Sequence, residues 1–140
     1  MTDPGDFNSN IVAEFRANGG KVGGRFEGAN LLLLHHTGAR TGTRRVSPLA
    51  YLPAGDGYAI FASKAGAPVN PAWYHNLLAN PETEVEIGTE KIKVRARVAE
   101  PAERDVIYER QKERAPRFAD YETRAAEHRK IPVVVLDPVN

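Results

Sequence analysis

The chain has 140 residues, a formal net charge of +1 and no cysteine. This length predicts one domain over residues 1–140, and the lack of cysteine excludes disulfides, zinc–thiolate sites, iron–sulfur clusters and thiol nucleophiles. An apolar fraction of 41%, with no run long enough to cross a bilayer and no signal peptide pattern at the N-terminus, predicts a cytoplasmic globular protein.

The first 30 residues are predicted to form a helix followed by a glycine-rich loop. A helix over residues 6–17 places Ile11 and Phe15 on one face, and the pair Gly19 and Gly20 ends it. The remaining predicted elements lie in residues 31–138, which we expect to form the body of the domain.

Six segments are predicted to be strands, because apolar residues alternate along them or form short runs between turn residues. The alternation is strictest over 84–87 and 91–98, where it predicts a hairpin with Glu84 and Glu86 on the face exposed to water. Pro48 has no N–H to donate, which predicts an edge or a bulge in its strand. The six strands are 31–37, 44–52, 58–63, 84–87, 91–98 and 131–136.

Three short helices are predicted between these strands. The first has Asn70 as its N-cap, Pro71 at its first helical position and Asn80-Pro81 at its end. The other two cover residues 101–114 and 117–127. Strands joined mostly by hairpins, with helices between some of them, predict a mainly β protein with helical additions (α+β), built as a six-stranded antiparallel barrel.

The sequence lacks the patterns of the common catalytic and metal sites. It has no Gly-x-Ser-x-Gly, no Gly-x-x-x-x-Gly-Lys-Ser/Thr, and no Gly-x-Gly-x-x-Gly between a strand and a helix. His35 and His36 are adjacent, so in a strand they face opposite sides and cannot hold one metal ion together. We therefore expect structural or solvated histidines and no metal site. A hydride-transfer enzyme needs none of these motifs, because its cofactor carries the reactive atom.

Basic residues are concentrated in the middle of the chain. Residues 28–81 carry arginines and a lysine against a single acidic residue, Asp56, which favours a site for a small anion over a nucleic-acid surface. Three segments could build such a site: 37–46 with glycines and arginines, 62–67 with a hydroxyl and an ammonium group, and 70–76 at a helix N-terminus. Taken singly, each segment also fits solvated charges or plain core packing of its aromatic residues.

Together and in this order, the three segments resemble those of the deazaflavin-dependent nitroreductase and quinone reductase family of actinobacteria, whose members use coenzyme F420. The resemblance extends from Leu31 to Pro138. It rests on Thr37-Gly38, Arg40-x-Gly42, Arg44-Arg45, Pro48-Leu49, Ala62-Ser63-Lys64, Gly66-Ala67, Asn70-Pro71-x-Trp73-Tyr74-x-Asn76-Leu77, Ala79-Asn80-Pro81 and Ile131-Pro132-Val133.

This resemblance implies a split β-barrel like those of flavin reductases and pyridoxamine oxidases. It also implies hydride transfer from reduced F420 to a quinone-like or other electron-poor conjugated acceptor. Two alternatives stay open at this point: an FMN-dependent oxidoreductase on the same barrel, and a non-enzymatic deazaflavin-binding or carrier protein. Family members differ in membrane association near the N-terminus, so a peripheral contact with the inner face of the cell membrane stays open as well, as does the oligomeric state.

Individual residues receive roles from the same resemblance. Tyr121 is the candidate catalytic residue, and the acceptor pocket is expected to contain Tyr74, Phe118 and Tyr121. Phe118 and Arg124 stand where the nitro-reducing member of the family has further tyrosines, so nitroreductase activity is not expected. Phe118 and Tyr121 are three residues apart on one helix face, which fits a flat pocket or simple packing of that helix. The expected cofactor-binding residues are Arg44, Arg45, Val46, Ser63, Lys64, Ala65, Pro71, Ala72, Trp73 and Asn76.

Overall fold

The computed structural model describes residues 4–23 and 30–139, with side chains from Ser9 onward. Its helices are α1 (Pro4–Ala17), α2 (Ala72–Ala79), α3 (Pro101–Arg114) and α4 (Arg117–Ala125), and a 3₁₀ turn covers Lys64–Gly66. Its strands are β1 (Leu31–Thr37), β2 (Arg44–Ala54), β3 (Gly57–Phe61), β4 (Glu82–Ile87), β5 (Glu90–Val98) and β6 (Val133–Pro138). Most of the predicted glycine-rich loop lies outside the described residues. Among the described helices, none combines the length and the apolar character that crossing a membrane requires.

The six strands form a closed antiparallel barrel in the order β1-β2-β3-β6-β5-β4, which confirms the predicted fold class. Successive side chains of a strand point to opposite faces, so each strand sends one set of side chains into the barrel. Leu34, Ile60 and Val85 are fully buried in this interior cluster, which also receives Trp73 and Leu77 from α2. The predicted hairpin of β4 and β5 is confirmed.

Helices cover the outer faces of the barrel. On one side, Phe15 of α1 packs against Leu33 of β1. On the other, Tyr108 of α3 and Phe118 of α4 pack against Phe61 at the end of β3. The buried Tyr108 hydroxyl donates a hydrogen bond of 2.7 Å to the backbone carbonyl of Phe118. These contacts hold α4 beside the C-terminal end of β3.

Strands β2 and β3 pair over only part of their length. Their pairing covers residues 51–54 of β2 and 57–60 of β3, whereas Pro48 pairs with Leu33 of β1. The predicted edge position of Pro48 is confirmed, because it lies beyond the end of the β2–β3 ladder. The two strands separate there, and an opening is left between residues 48–50 and the residues that follow β3.

The ends of most predicted elements differ from the structure by one or two residues, as at α2, β6 and α4. Helix α2 begins at Ala72 with Pro71 as its N-cap and no capping side chain, so the prediction that Asn70 caps it is wrong. The Asn70 side chain instead accepts a hydrogen bond of 2.7 Å from Arg129. Strand β6 starts at Val133, two residues later than predicted, since the preceding proline has no N–H for the ladder. Helix α4 ends at Ala125, two residues earlier than predicted.

The prediction that Glu86 faces water is also wrong. Glu86 is 7% exposed and accepts hydrogen bonds of 3.0 and 2.6 Å from Arg16 of α1, while His35 Nε2 lies 2.7 Å away. The hydrogen bonds from Arg16, followed by that with His35, lower the pKa of Glu86 to about 2. The alternation of β4 correctly places Glu86 outside the barrel, but alternation alone does not reveal that a helix covers that face.

Candidate functional site

The opening between β2 and β3 continues into a surface groove of about 420 Å³, here called the β2–β3 groove. Its walls come from β2, from the 3₁₀ turn after β3, from the start of α2 and from α4. Seven residues predicted for the site line it: Ser63, Lys64, Ala65, Pro71, Trp73, Phe118 and Tyr121. Five others that had no predicted site role also line it: Pro48, Leu49, Ala50, Phe61 and Arg117. Pro48 was the available signal for the three residues of β2, because a strand residue without an N–H marks a place where pairing can stop.

The 3₁₀ turn in the groove has a strained backbone. The φ angle is positive at Lys64 (44°), Ala65 (53°) and Gly66 (83°), and the left-handed region costs a residue with a side chain about 1–3 kcal/mol. The Gly66 amide donates to the Ser63 carbonyl at 2.8 Å, and the Ala67 amide donates to the Lys64 carbonyl at 3.0 Å. This conformation leaves the Lys64 side chain exposed at the groove, next to Ser63.

Aromatic rings also line the groove. The Phe118 and Tyr121 rings meet edge to face with centroids 5.1 Å apart, which confirms that they share one face of α4. Phe118 is buried in the core beneath that helix, whereas Tyr121 is half-buried and lines the groove. Trp73 of α2 is buried and also lines the groove. The rings of Phe118, Tyr121 and Trp73 therefore both pack against the protein core and line the groove.

The predicted arginines lie elsewhere. Arg45 and Val46 line a second groove of about 500 Å³ between α1 and β2, the α1–β2 groove, together with Arg16 and the hydroxyl-bearing residues Ser9 and Ser47. Arg44 is exposed at the first position of β2. The structure thus divides the predicted cationic residues between two grooves, with Lys64 in one and Arg45 in the other.

Two further predicted site residues, Ala72 and Tyr74, line neither groove. Ala72 is exposed at the first turn of α2. Tyr74 packs against the barrel interior and lines a small cavity with Leu77 and Val98. Adjacent residues of a helix point about 100° apart, so Tyr74 does not share the side of Trp73. The structure therefore places Tyr74, predicted for the acceptor pocket, away from the β2–β3 groove.

Asn76 is buried in a hydrogen-bond chain that joins α2 to both strands of the β1–β2 hairpin. Its Oδ1 accepts from the Ala39 amide at 2.9 Å, and its Nδ2 lies 3.0 Å from Nδ1 of His36. His36 Nε2 lies 2.9 Å from the Ser47 hydroxyl. Because Asn76 donates to Nδ1, the proton of a neutral His36 is assigned to Nε2. Asn76 therefore holds the turn that precedes Arg44 and Arg45, and its role in cofactor binding stays a prediction.

His36 gives the stability of the fold a defined pH dependence. Burial, with smaller contributions from the charges of Arg45 and His35, lowers its pKa from 6.5 to about 4. The unfolded chain therefore takes up a proton at a higher pH than the folded protein does, and stability is lost as the pH falls from 6.5 toward 4. Between pH 6.5 and 4.5 we expect a loss of about 2 kcal/mol in the free energy of unfolding from this group.

Urea unfolding at a series of pH values measures this loss. His36→Gln should flatten the profile between pH 6.5 and 4.5, a window above the titration of Glu86. His128→Gln, at an exposed histidine, is the control for the substitution itself. Equal slopes in all three proteins would contradict the prediction.

Comparison with known proteins identifies close relatives. Residues 9–138 match the family model of F420H(2)-dependent quinone reductases. An F420H(2)-dependent quinone reductase of Mycobacterium tuberculosis H37Rv is 42% identical over 128 residues, which cover 89% of this chain and 85% of the relative.

Solved structures agree with this match. The structure of an F420-H2 dependent reductase, FDR-A, superposes with a TM-score of 0.69 at 35% identity and covers 77% of this chain and 94% of its own. A Listeria innocua protein provisionally assigned as a pyridoxamine 5′-phosphate oxidase has a TM-score of 0.56 at 12% identity, covering 96% of this chain and 94% of its own. At that identity the similarity concerns the fold alone, and it confirms the prediction that the barrel resembles those of the pyridoxamine oxidases.

Proposed function

The chain belongs to the F420H(2)-dependent quinone reductase family, and on that premise we propose that it transfers a hydride from reduced coenzyme F420 to a quinone-like or other electron-poor conjugated acceptor in the β2–β3 groove. It is an F420-dependent reductase, and coenzyme F420 is its cofactor. The acceptor and the residues that bind it are our proposal. The observation that carries this proposal is the groove itself, which is lined by both a strained basic turn and aromatic rings.

The residues of the β2–β3 groove fit a ligand that combines a phosphate with a flat ring. The Ser63 hydroxyl and the Lys64 ammonium group are donors suited to phosphate oxygens. Trp73 and Tyr121 offer aromatic surface for a conjugated ring system. When bound there, reduced F420 supplies the hydride. Arg45 in the α1–β2 groove is our candidate for the acidic tail of the cofactor.

The protein's own contribution is position, electrostatics and a proton. Reduction of a quinone to a hydroquinone takes up one hydride and one proton, and we assign the proton to the Tyr121 hydroxyl or to water. The buried Phe118 ring makes the adjacent wall apolar, which keeps water away from an acceptor ring that lies on it. Phe118 has no hydroxyl to donate, and we therefore expect nitroimidazoles to be poor substrates.

The proposal is tested on the purified protein in two steps. Fluorescence titration with F420 should show binding in preference to FMN, because the deazaflavin adds an acidic tail to the phosphate that both ligands carry. Reduced F420 should then be oxidised by menadione, a naphthoquinone, under anaerobic conditions, with no oxidation of NADPH. Stoichiometric FMN in the protein as purified, robust NADPH oxidation, or F420 binding without turnover of any quinone would contradict the proposed function.

Substitution of the basic residues tests the binding assignment. Lys64→Ala and Arg45→Ala should each weaken F420 binding by about 1.5–3 kcal/mol, the range for hydrogen bonds to charged groups. The loss should shrink as salt rises, since the attraction is ionic. Lys91→Ala is the control, because Lys91 is exposed on β5, across the barrel from β2. Unchanged affinity in Lys64→Ala would remove the phosphate site from the β2–β3 groove, and unchanged affinity in Arg45→Ala would remove the acidic tail from the α1–β2 groove.

A further inference from the structure

Arg129, in the segment between α4 and β6, is bonded to the loop that carries the strained turn. Its guanidinium donates to the backbone carbonyl oxygens of Ala62 at 2.9 Å, Ser63 at 3.0 Å and Ala67 at 3.0 Å. A fourth hydrogen bond, of 2.7 Å, goes to Oδ1 of Asn70. One side chain thus contacts the loop both before and after the turn over Lys64–Gly66.

This pattern explains what keeps the turn in place. Lys64 and Ala65 occupy the left-handed region, where residues with a side chain persist only if the surrounding structure fixes them. The hydrogen bonds to Ala62 and Ser63 fix the entry to the turn, and the bond to Ala67 fixes its exit. A planar guanidinium with five N–H donors can serve all these acceptors at once, whereas an ammonium group of a lysine cannot reproduce that spread.

The same side chain also places a positive charge beside the groove. All four of its acceptors are uncharged, so these bonds do not neutralise it. Burial lowers the pKa of Arg129, yet a guanidinium keeps its proton at neutral pH. An anionic ligand at Ser63 and Lys64 therefore meets a second, partly buried cation behind the turn.

We propose that Arg129 is a positioning residue for the cofactor: it holds the 62–67 backbone so that Ser63 and Lys64 face the β2–β3 groove, and its charge adds to the attraction for an anionic ligand. This inference rests on the proposed function, since it takes the phosphate of F420 to bind at that turn. The sequence has no local signal for this role of Arg129, because its partners are 59 to 67 residues away in the chain.

The turn is tested first without any cofactor. Trypsin cleaves after lysine in flexible segments, and mass spectrometry can follow cleavage after Lys64 in the folded protein. Arg129→Met should accelerate that cleavage by about tenfold or more, because the turn loses its fixed ends. Cleavage after Lys93 of β5 should keep its rate, which separates local loosening from global unfolding. Arg95→Met, an exposed arginine of β5, is the matched control.

Binding and turnover are measured next. Arg129→Met should raise the dissociation constant of F420 by about 30-fold, and Arg129→Lys should restore only part of this. The effect should appear in KM for reduced F420 far more than in kcat, because Arg129 acts on the binding turn and not on the acceptor. Asn70→Asp keeps an acceptor oxygen for Arg129, but its carboxylate neutralises the positive charge of the Arg129 guanidinium. It should leave tryptic cleavage after Lys64 as in the wild type and weaken F420 binding by about threefold at low salt only.

The outcomes separate this inference from the proposed function. A wild type that does not bind F420 defeats the proposed function and with it the cofactor role of Arg129, whereas the trypsin experiment still reports whether Arg129 holds the turn. If Arg129→Met is folded and its dissociation constant for F420 lies within twofold of the wild-type value, the positioning role is wrong. If Arg129→Met does not fold, Arg129→Lys decides: wild-type cleavage after Lys64 together with wild-type affinity overturns the proposal.

Discussion

Replacing Gly66 by alanine is expected to destabilise the fold by about 2–4 kcal/mol and to weaken F420 binding at the same time. Gly66 has φ +83°, where an alanine is strained. An added Cβ would also lie 2.8 Å from Cβ of Arg124 and 2.9 Å from the carbonyl oxygen of Tyr121, so α4 would have to move away from the turn. Overpacking of this kind typically costs about 1–3 kcal/mol beyond the backbone strain. Thermal unfolding and F420 titration measure the two effects.

Gly55→Ala is the matched control for this prediction. Gly55 also has a positive φ, +59°, but a Cβ added there would meet no other atom within 4 Å. Its substitution should therefore cost only the backbone strain, about 1 kcal/mol, with no change in F420 affinity. If Gly66→Ala is no less stable than Gly55→Ala, the turn and α4 are not packed as tightly as the distances indicate.

The sequence was sufficient to predict the fold because its strands have local signals. Val85 and Ile92 alternate with charged residues and pair across a hairpin, so the pattern of each strand already contains its register. The end of the β2–β3 ladder has no comparable signal apart from Pro48, since it depends on how two strands diverge in space. The burial of Glu86 likewise depends on α1, whose contact with β4 joins residues 70 positions apart.

The candidate site was predictable where a residue's chemistry shows its role. The hydroxyl of Ser63 and the ammonium group of Lys64 indicate an anion site, whereas Tyr121 received its role only from the resemblance to the family. The structure brings all three residues to one groove. Asn76 and Arg129 could not be understood in this way, because their roles depend on acceptors and donors supplied by the backbone of distant loops. Any polar side chain can bind a carbonyl or an amide, and only the fold decides which one it reaches.

Tyr121→Phe is expected to lower kcat for menadione by about 100-fold, the lower end of the range for removal of a general acid. The substitution keeps the ring and its edge-to-face contact with Phe118, so packing and F420 affinity should be preserved. The hydroxyl that is lost belongs to a half-buried residue at the groove, and its removal should change the melting temperature very little. Turnover, melting temperature and F420 titration on the same preparation measure these effects.

Tyr108→Phe is the matched control, because it also removes a hydroxyl from this aromatic cluster. It is expected to lower the stability and to leave kcat unchanged. The Tyr108 hydroxyl is buried, its pKa is raised to about 12 by that burial, and it donates to the Phe118 carbonyl. Losing it leaves that carbonyl without this donor and should cost about 1–2 kcal/mol of stability, with kcat unchanged. Intact menadione turnover in Tyr121→Phe would show that Tyr121 only packs α4 onto the barrel, and the proton would then come from water.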